Sequence, residues 1–312
     1  MIYTNLDGTT PDKGLGDLLR WQMWDRLAGK RRKDPGGFVT PRRENDGSAI
    51  AEARPSLTWI GHATFALRLG GVLVVTDPIW SERVGTTRRH TAPGVALGKL
   101  PEVDVVTVSH AHYDHLDIPT LQRLGPKPLY VVPKDCGSLL RDAGLPNVVE
   151  LGWFESHEAR TKMGRVKITL VPAQHWSMRV PWDRNKRLWG GFVYESDDGT
   201  AYHAGDTAFS ELVFRKIGEA FPKIDWAMLP IGAYDPTWFM QPQHMGPEEA
   251  TRAFELLGAK TFCAMHWGTF KLTDEPMGEP PERAKAAFVD HSLDASRLQI
   301  FDIGETRSLV RV

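Results

Sequence analysis

The sequence predicts an α+β fold in which two β-sheets pack against each other and helices cover their outer faces. Apolar runs typical of strands dominate the first part of the chain, between residues 56 and 108, and helix-like segments alternate with strands after residue 118. A His or Asp also follows several of the predicted strands directly. An amphipathic element has to bury its apolar side against another layer, so this order favours two central sheets between outer helices.

The chain is predicted to have an N-terminal extension, residues 1–54, and a regular domain, residues 55–312. Residues 1–14 are polar, and we expect them to be loosely held. Residues 34–54 are rich in Gly, Pro and charge, which indicates an extended connector.

An amphipathic helix is predicted over residues 17–28, with Asp17 as its cap and Gly29 as its stop. Apolar residues repeat at four-residue spacing and a basic run follows: Leu15, Leu19, Met23 and Leu27, then Lys30, Arg31, Arg32 and Lys33. With Trp21 and Trp24 as interfacial aromatic residues, such a helix can lie at a lipid surface. The alternative is that the helix packs on the domain and that its basic run is solvated.

The strands of the regular domain are predicted from short apolar runs, with Gly70-Gly71 as a hairpin turn. They are expected at residues 57–60, 64–69, 72–76, 103–108, 129–132, 166–171, 188–194, 200–203, 225–229, 260–265 and 298–301. Helices are expected at residues 118–124, 135–143, 247–257 and 281–289. The third of these begins with acidic residues, as the helix dipole prefers.

Four metal-binding side chains fall within six residues, directly after the strand predicted at residues 103–108. The stretch is His110-x-His112-x-Asp114-His115. Neutral imidazole and carboxylate groups suit zinc, and also iron or manganese. A solvated loop has no reason to concentrate imidazoles in this way, so we interpret the stretch as a metal-binding loop rather than as a polar surface loop.

Three more candidate ligands follow predicted strands, namely His175, Asp206 and His266. Each alone could be a satisfied core residue, but their recurrence at strand ends favours ligands, since strands ending at one edge of a sandwich would bring all three to the His110 loop. Seven ligands exceed what one ion uses, so two ions about 3.5–4 Å apart are implied. Asp206 is the natural bridge, because a carboxylate has two oxygens.

The composition is that of an ordinary globular protein. Hydrophobic residues make up 41% and charged residues 25%, and the formal net charge of −1 provides no field that would attract nucleic acid. There is no run of about 18 apolar residues and no secretory signal. Cys136 and Cys263 are too few for a disulfide framework and fit a reducing compartment. We therefore expect a cytoplasmic protein without a nucleic-acid partner.

Further stretches accompany the predicted ligands over roughly residues 55–275. They are Trp59-Ile-Gly-His-Ala-Thr-Phe65, Gln174-His-Trp176, residues 185–190, Pro230-Ile-Gly-Ala-Tyr234, Trp238-Phe-Met240, Gln243-His244, Pro247-Glu-Glu-Ala250 and His266-Trp-Gly-Thr-Phe270. Together with the His110 motif, they resemble the N-acyl-phosphatidylethanolamine-hydrolysing phospholipase D family of the metallo-β-lactamase superfamily. The N-terminal 50 residues carry little of the resemblance.

The resemblance implies a metallo-β-lactamase-type αββα sandwich with two Zn²⁺ ions per chain, and iron or manganese remain alternatives. A hydroxide between the ions is the implied nucleophile, because two cations lower the pKa of bound water. The implied ligands are His110, His112 and His175 for one ion, Asp114, His115 and His266 for the other, and Asp206 between them. Asp77 resembles a carboxylate that orients a ligand imidazole, and His62 lies in a turn with a similar supporting role.

A phosphodiester substrate fits this chemistry, because cations can neutralise a phosphate oxygen during in-line displacement. Besides Asp114 and Asp206, we assign His244 to catalysis, where it would contact phosphate or protonate the leaving oxygen. The alternative for His244 is a surface residue before a helix. Arg179 is a second candidate for contacting phosphate.

An apolar groove for acyl chains is predicted around the aromatic stretch Trp238, Phe239 and Met240. Trp176, Trp182 and Trp267 could contribute to it. The alternative is that these aromatic residues simply belong to the core.

The resemblance implies hydrolysis of N-acyl-phosphatidylethanolamine to N-acylethanolamine and phosphatidic acid, by a metal-dependent phosphodiesterase of phospholipase D type. A phospholipid is then the expected partner, with a peripheral membrane contact. The alternatives are a hydrolase of the same fold that acts on a lactone or a soluble phosphodiester, a di-iron redox protein, and a non-catalytic metal-binding scaffold. The sequence leaves open the acyl-chain preference, the physiological metal and whether the chain forms a homodimer.

Overall fold

The computed structural model describes residues 2–11 and 13–309, and in this part of the chain it confirms the predicted α+β sandwich. The first sheet has, in spatial order, the strands Thr306–Ser308 (β16), Ser56–Gly61 (β1), Thr64–Leu69 (β2), Val72–Thr76 (β3), Val105–Thr107 (β6), Leu129–Pro133 (β7) and Val148–Leu151 (β8). The second has Leu298–Gln299 (β15), Thr261–Met265 (β14), Trp226–Pro230 (β13), Gly199–His203 (β12), Gly191–Ser196 (β11), Arg165–Val171 (β10) and Ser156–Arg160 (β9). A separate hairpin pairs Arg83–Val84 (β4) with Thr87–Arg88 (β5).

Each sheet is antiparallel in one half and parallel in the other. In the first sheet β3, β6, β7 and β8 are parallel, and in the second β12, β13, β14 and β15 are parallel. Because parallel strands end at the same edge, the loops that follow them collect there. This edge receives the predicted ligand loops.

The main cluster of buried residues fills the space between the two sheets and extends beneath the helices of the second sheet. Alternation along the strands divides residues between the two faces of each sheet. Val72 and Val74 of β3 belong to the main cluster between the sheets, whereas Leu73 and Val75 pack into a second cluster on the outer side. Successive strand residues point to opposite faces, so β3 is buried on both sides. This double burial explains why its sequence is an uninterrupted apolar run.

The described α-helices lie outside the two sheets, and several of them cover the outer faces of the sheets. They are Leu15–Leu19 (α1), Ser48–Ala51 (α2), Ile118–Leu124 (α3), Gly137–Asp142 (α4), Glu211–Ala220 (α5), Thr237–Met240 (α6), Pro247–Leu257 (α7) and Glu279–Asp290 (α8), with short 3₁₀ turns at Leu97–Lys99 and Ala295–Arg297. Helices α3 and α4 bury Leu121 and Leu140 in the outer cluster of the first sheet. Helices α5, α7 and α8 pack Phe214, Phe254 and Phe288 into the main cluster.

Several predicted elements agree with the structure and others do not. The predicted helices over residues 118–124 and 247–257 match α3 and α7. Strands β4, β5, β8, β9 and β16 and helices α2, α5 and α6 are not among the predicted elements. Strand β9 is polar at four of its five positions and β16 is three residues long, so neither has the apolar run that predicts a strand. The helix predicted over residues 17–28 begins earlier, as α1, and continues as a π-helix over Arg20–Asp25.

The expectation that residues 1–14 are loosely held is wrong for the residues described. Tyr3 N–H donates to the Asn185 carbonyl at 2.8 Å, and the Tyr3 hydroxyl donates to Asp135 Oδ2 at 2.6 Å. The boundary predicted at residue 54 stays a prediction, and residues 310–312 of the predicted domain lie outside the described residues.

Candidate metal centre

The predicted ligands come from loops at the edge where the parallel strands end. His110, His112, Asp114 and His115 follow β6, and Asp206 and His266 follow β12 and β14. His175 follows β10, which is antiparallel to β11 and therefore runs in the same direction as β12. The structure brings all seven predicted ligands together. Only the four residues of the His110 motif are close in sequence, and the other three come from separate loops.

One group of four donor atoms is formed by His110, His112, His175 and Asp206, all within 4.8 Å of one another. His112 Nδ1 lies 2.8 Å from His110 Nε2 and 3.2 Å from His175 Nε2. Asp206 Oδ2 is 3.9 Å from both His110 Nε2 and His175 Nε2. Three imidazole nitrogens and a carboxylate oxygen that converge in this way make a four-ligand set of the kind that zinc uses.

A second group is formed by His62, Asp114, His115 and His266, again within 4.8 Å. Asp206 faces this group as well: its Oδ1 lies 3.0 Å from His266 Nε2 and its Oδ2 lies 3.2 Å from His115 Nε2. Asp206 is therefore the carboxylate that both groups share, in the position expected of a bridge.

Asp77 fixes the loop that carries the His110 motif. Its carboxylate accepts hydrogen bonds from Ser109 N–H at 2.6 Å, from the Ser109 hydroxyl at 2.7 Å and from His115 Nδ1 at 2.7 Å. With its Nδ1 proton committed to Asp77, His115 directs Nε2 towards the second group. Asp77 thus makes the contact with a ligand imidazole that the family resemblance implies.

Two further contacts orient ligands from outside the groups. His175 Nδ1–H donates to the Gln243 carbonyl at 2.7 Å, which leaves Nε2 free for a metal ion. His62 Nε2 lies 2.9 Å from Asp114 Oδ2. His62 is also near enough to the second group to count among its possible ligands, a role that the sequence did not predict.

Backbone strain is concentrated around the site. His62, Asp77 and His266 adopt φ values of 56°, 37° and 63°. Non-glycine residues rarely occupy this left-handed region, and such strain persists only where the surroundings hold it in place. The strained residues turn the chain sharply just where the strands end and so direct the side chains inward.

The electrostatics of the two groups differ. Burial holds the pKa of His110 and of His175 well below the usual range, so both rings are neutral. Burial also acts on His266, but the carboxylates of Asp206 and Asp114 outweigh it and raise its pKa to about 9. Burial would raise the pKa of Asp206, yet the neighbouring His115 and His266 hold it well below its usual range. Positive charge is therefore favoured between these carboxylates, whether from protons or from the metal ions that would replace them.

Several donor atoms of the two groups are buried close to one another without meeting the geometry of a hydrogen bond. His115 Nε2, His266 Nε2 and Asp206 Oδ1 are buried and have no hydrogen-bond partner among the described residues. Buried polar atoms without partners are costly, and a cation that accepts their lone pairs removes the cost. Nitrogen and oxygen donors of this kind suit zinc, iron or manganese.

A cleft of about 280 Å³ opens above the two groups. Its floor includes His112, Asp114 and Asp206, and His244 lies beside them. Its walls are largely apolar and are formed by Trp21, Val84, Tyr113, Trp176, Met240 and Leu272. None of the described residues that line it is Lys or Arg.

His244 lies where a residue that contacts substrate is expected. It lines the cleft, and its Nδ1 is 3.9 Å from Asp206 Oδ2. This Nδ1 is buried and has no hydrogen-bond partner among the described residues. The alternative of an exposed surface histidine does not apply, because the side chain is only 14% exposed.

The predicted aromatic groove is only partly present. Met240 lines the cleft, but Trp238 and Phe239 are not among its lining residues. Phe239 packs on Trp21, with ring centroids 5.2 Å apart, and the Arg20 guanidinium lies 4.4 Å from the Trp238 ring centroid. Trp238 and Phe239 therefore support the N-terminal helix rather than the cleft itself.

Arg179 is not among the residues that line the cleft, and its contact with phosphate stays a prediction. Its Nη1 donates to the carbonyls of Leu116 at 2.8 Å and Ala111 at 3.3 Å, and its guanidinium lies 3.8 Å from the Tyr113 ring centroid. Arg179 holds the ends of the His110 loop together. A guanidinium that donates to two carbonyls across a loop fixes its shape, and sequence spacing gave no sign of this contact.

Trp21 is a cleft residue that the sequence did not assign to the site. Expected at a lipid interface, it is instead 4% exposed, and its Nε1 donates to Asp274 Oδ2 at 2.8 Å. The signal was present but ambiguous, because a tryptophan on an amphipathic helix can face lipid or protein equally well.

A family model and several known proteins match most of this chain. A family model described as a beta-lactamase superfamily domain matches residues 73–267, which is more than half of the chain. The "N-acyl-phosphatidylethanolamine-hydrolyzing phospholipase D 1" of Caenorhabditis elegans is 38% identical over 242 residues, covering 73% of this chain and 68% of that protein. An uncharacterized protein of Mycobacterium tuberculosis is 37% identical over 302 residues, covering 91% of this chain and 77% of that protein.

A solved structure of a possible metal-dependent hydrolase from Veillonella parvula has the same fold. It superposes with a TM-score of 0.65 at 19% sequence identity, covering 82% of this chain and 100% of that one. At this identity the likeness concerns the architecture alone.

We expect the purified protein to hold two transition-metal ions per chain, and the Asp206→Asn variant to hold fewer and to lose most turnover, since one shared carboxylate serves both groups. Elemental analysis of both proteins, alongside hydrolysis assays before and after chelation, tests this. Asp290→Asn, an exposed aspartate on α8, is the control and should match the wild type. Full activity in thoroughly metal-free protein would refute a metal centre.

Proposed function

This chain belongs to the metallo-β-lactamase superfamily and, within it, to the N-acyl-phosphatidylethanolamine-hydrolysing phospholipase D family, and we propose that it converts N-acyl-phosphatidylethanolamine to N-acylethanolamine and phosphatidic acid with two zinc ions. That it is a metal-dependent hydrolase follows from the family itself. The lipid substrate, the zinc and the number of ions are the proposal.

One observation supports the proposal most directly: Asp206 faces both groups of donor atoms and lies at the floor of a cleft with apolar walls. Two zinc ions held there would polarise a phosphate oxygen and lower the pKa of bound water. A phosphodiester with acyl chains needs both parts, a cationic floor for its phosphate and an apolar wall for its hydrocarbon.

The cleft walls favour a lipid over a small charged ester. No Lys or Arg among the described lining residues would bind a second anionic group, so the metal centre is the principal place for phosphate. Trp21, Trp176 and Leu272 offer apolar surface, whose contact with hydrocarbon contributes about 25 cal/mol per Å² that is removed from water.

His244 acts on the phosphate in this proposal. Its ring projects into the cleft beside Asp206 and has an imidazole nitrogen without a partner. A neutral ring of this kind can donate one N–H hydrogen bond to a phosphate oxygen or hand its proton to the departing oxygen. The backbone of His244 is fixed by its own N–H, which donates to the Met240 carbonyl at 2.8 Å.

The N-terminal helix supports a contact with an anionic bilayer. Five large apolar side chains of this helix are exposed: Leu18 is 39% exposed, Leu19 47%, Met23 56%, Trp24 70% and Leu27 78%. Its inward Trp21 forms part of the cleft wall, so the helix joins an exposed apolar face to the cleft. No helix in the described part of the chain is long and apolar enough to cross a bilayer.

Two of the four basic residues after this helix have acidic partners within the protein. Arg31 Nη2 is 2.5 Å from Asp274 Oδ1, and Arg32 Nη1 is 2.9 Å from Glu279 Oε1, so both pair within the protein. Lys30 and Lys33 stay exposed. Each basic residue near an anionic surface contributes about 1 kcal/mol to the free energy of membrane binding. In this proposal, the exposed apolar side chains and these two lysines contribute most of that binding.

A direct test incubates the zinc-loaded enzyme with defined vesicles of N-acyl-phosphatidylethanolamine and identifies the products by mass spectrometry. We expect N-acylethanolamine and phosphatidic acid in equal amounts. Soluble phosphodiesters and lactones serve as competing substrates. Faster turnover of a soluble ester than of the vesicle substrate would assign the chain to another activity on the same fold.

The His244→Ala variant should lower turnover by about 10²-fold or more, the range for a positioned acid–base group, with unchanged metal content. His244→Gln, which keeps an N–H donor, should recover part of the loss. His291→Ala, a histidine paired with Glu255 on the surface, is the matched control. Loss of metal in His244→Ala would make it a ligand instead.

The double variant Trp24→Ala/Leu27→Ser should weaken binding to anionic vesicles by about tenfold or more, because two apolar side chains lose their lipid contact. Its turnover on a short-chain substrate below the micelle point should not change. Leu212→Ser/Val289→Ser removes exposed apolar residues from α5 and α8 and should bind as the wild type does. Equal vesicle binding by all three proteins would exclude this face as the contact.

A further inference from the structure

The N-terminal strap, defined as residues 2–11 together with Lys13, is bound to the loop that carries the ligand His175. Gln174, next to this ligand, donates from Nε2 to Asp7 Oδ2 at 3.2 Å and to Thr9 Oγ1 at 3.1 Å. On the other side of the loop, Asn185 binds both the strap and Ser177: its carbonyl accepts from Tyr3 N–H and its Oδ1 from Ser177 N–H at 3.2 Å. The strap therefore binds Gln174 directly, on one side of His175, and reaches Ser177 on the other side through Asn185.

Asn5 makes the central contact of the strap. It is 3% exposed, and its Oδ1 accepts hydrogen bonds from His175 N–H at 3.0 Å and from Trp189 Nε1–H at 3.1 Å. Its Nδ2 is buried and has no partner among the described residues. An amide with an unsatisfied buried N–H group is a poor choice for stability alone, so the oxygen is the useful part of this side chain.

A second route leads from the strap to His112. Arg184 donates to the carbonyls of Pro11 at 2.6 Å and Lys13 at 3.2 Å, and its guanidinium lies 4.5 Å from the Trp176 ring centroid. The Trp176 ring packs edge-on against the His112 ring, with centroids 4.5 Å apart. His112 and His175 belong to the same group of donor atoms.

The second group is held by other residues. His115 is oriented by Asp77, and His266 N–H donates to the His62 carbonyl at 3.0 Å. The His62 N–H in turn donates to Thr269 Oγ1 at 2.7 Å. Within residues 2–11 and 13–309, no hydrogen bond joins the strap to Asp114, His115 or His266.

We propose that the N-terminal strap is a positioning element for one half of the metal centre, the half formed by His110, His112 and His175, and that Asn5 acts by holding the His175 backbone. The other half does not depend on the strap. This inference rests on the two-ion centre of the proposed function but not on its lipid substrate.

The test measures zinc affinity by competition with a chromophoric chelator, without substrate. Asn5→Ala should weaken the binding of one of the two zinc equivalents about 10- to 100-fold, the range for residues that orient a metal ligand, and leave the other unchanged. Two backgrounds separate the halves: His266→Ala disables the second, and His110→Ala disables the first. Asn5→Ala should weaken zinc binding in the His266→Ala protein and have no effect in the His110→Ala protein.

Asn45→Ala is the matched control. Asn45 also belongs to the N-terminal extension and also bonds across to the domain, donating to the Gly304 carbonyl at 2.7 Å and Thr306 Oγ1 at 3.0 Å. It touches no ligand loop, so both zinc affinities should equal those of the wild type. Equal weakening in Asn45→Ala and Asn5→Ala would reduce the effect to general stability and overturn the proposal.

A milder variant keeps the proposal testable if Asn5→Ala does not fold. Asp7→Ala/Thr9→Ala removes two exposed side chains, which releases Gln174 and the Asp7–Thr9 hydrogen bonds within the strap but keeps Asn5. It should therefore weaken the same zinc equivalent to a smaller extent. Unchanged affinity of both equivalents in this variant and in a folded Asn5→Ala would overturn the proposal. Weakening of both equivalents together would overturn its selectivity for one half.

Because no substrate is present, these results are independent of the lipid reaction. A protein that fails to hydrolyse N-acyl-phosphatidylethanolamine can still show selective loss of one zinc equivalent. Conversely, an active lipid hydrolase with both zinc affinities unaltered in Asn5→Ala would keep the proposed function and reject the strap.

Discussion

The carboxylate of Asp206 has to satisfy two groups of imidazoles at once, and much of the architecture serves this requirement. Its Oδ1 lies 3.0 Å from His266 Nε2 of the second group, and its Oδ2 lies 3.9 Å from both His110 Nε2 and His175 Nε2 of the first group. The side chain is almost fully buried at the floor of the cleft. A buried carboxylate is costly unless positive charge surrounds it. Two parallel half-sheets whose strands end at one edge supply that surrounding, because each strand end contributes ligands without crossing the core.

The strained turns follow from the same requirement. A strand delivers side chains alternately to its two faces, yet His62, Asp77 and His266 must all aim at one point beyond the strand ends. The left-handed backbone of these residues redirects them, and hydrogen bonds such as Asp77 to Ser109 and His115 hold the turns in place. Packing in the sandwich offsets this local cost, as strain at functional sites generally requires.

The sequence predicted the parts of the site that local pattern encodes. The His110 motif is contiguous, and His175, Asp206 and His266 each follow an apolar run. Their common position after predicted strands is enough to group them. The contacts of Arg179, Trp21 and Asn5 could not be predicted from the sequence, because their partners Leu116, Asp274 and His175 are far away in the chain. A polar residue in a segment without periodicity carries no sign of the loop on which it folds back, which is also why residues 1–14 were expected to be loose.

The N-terminal extension contacts the site in two different ways. Its first residues hold the loop of a metal ligand, and its helix places Trp21 in the cleft wall while Trp24 and Leu27 face outward. Asp274 accepts hydrogen bonds from both Trp21 and Arg31, so the helix is fixed to the cleft rim rather than hinged away from it. If the outward face meets lipid, the cleft mouth is carried to the surface in a set orientation. Docking and catalysis would then be coupled through a rigid contact and not through a conformational change.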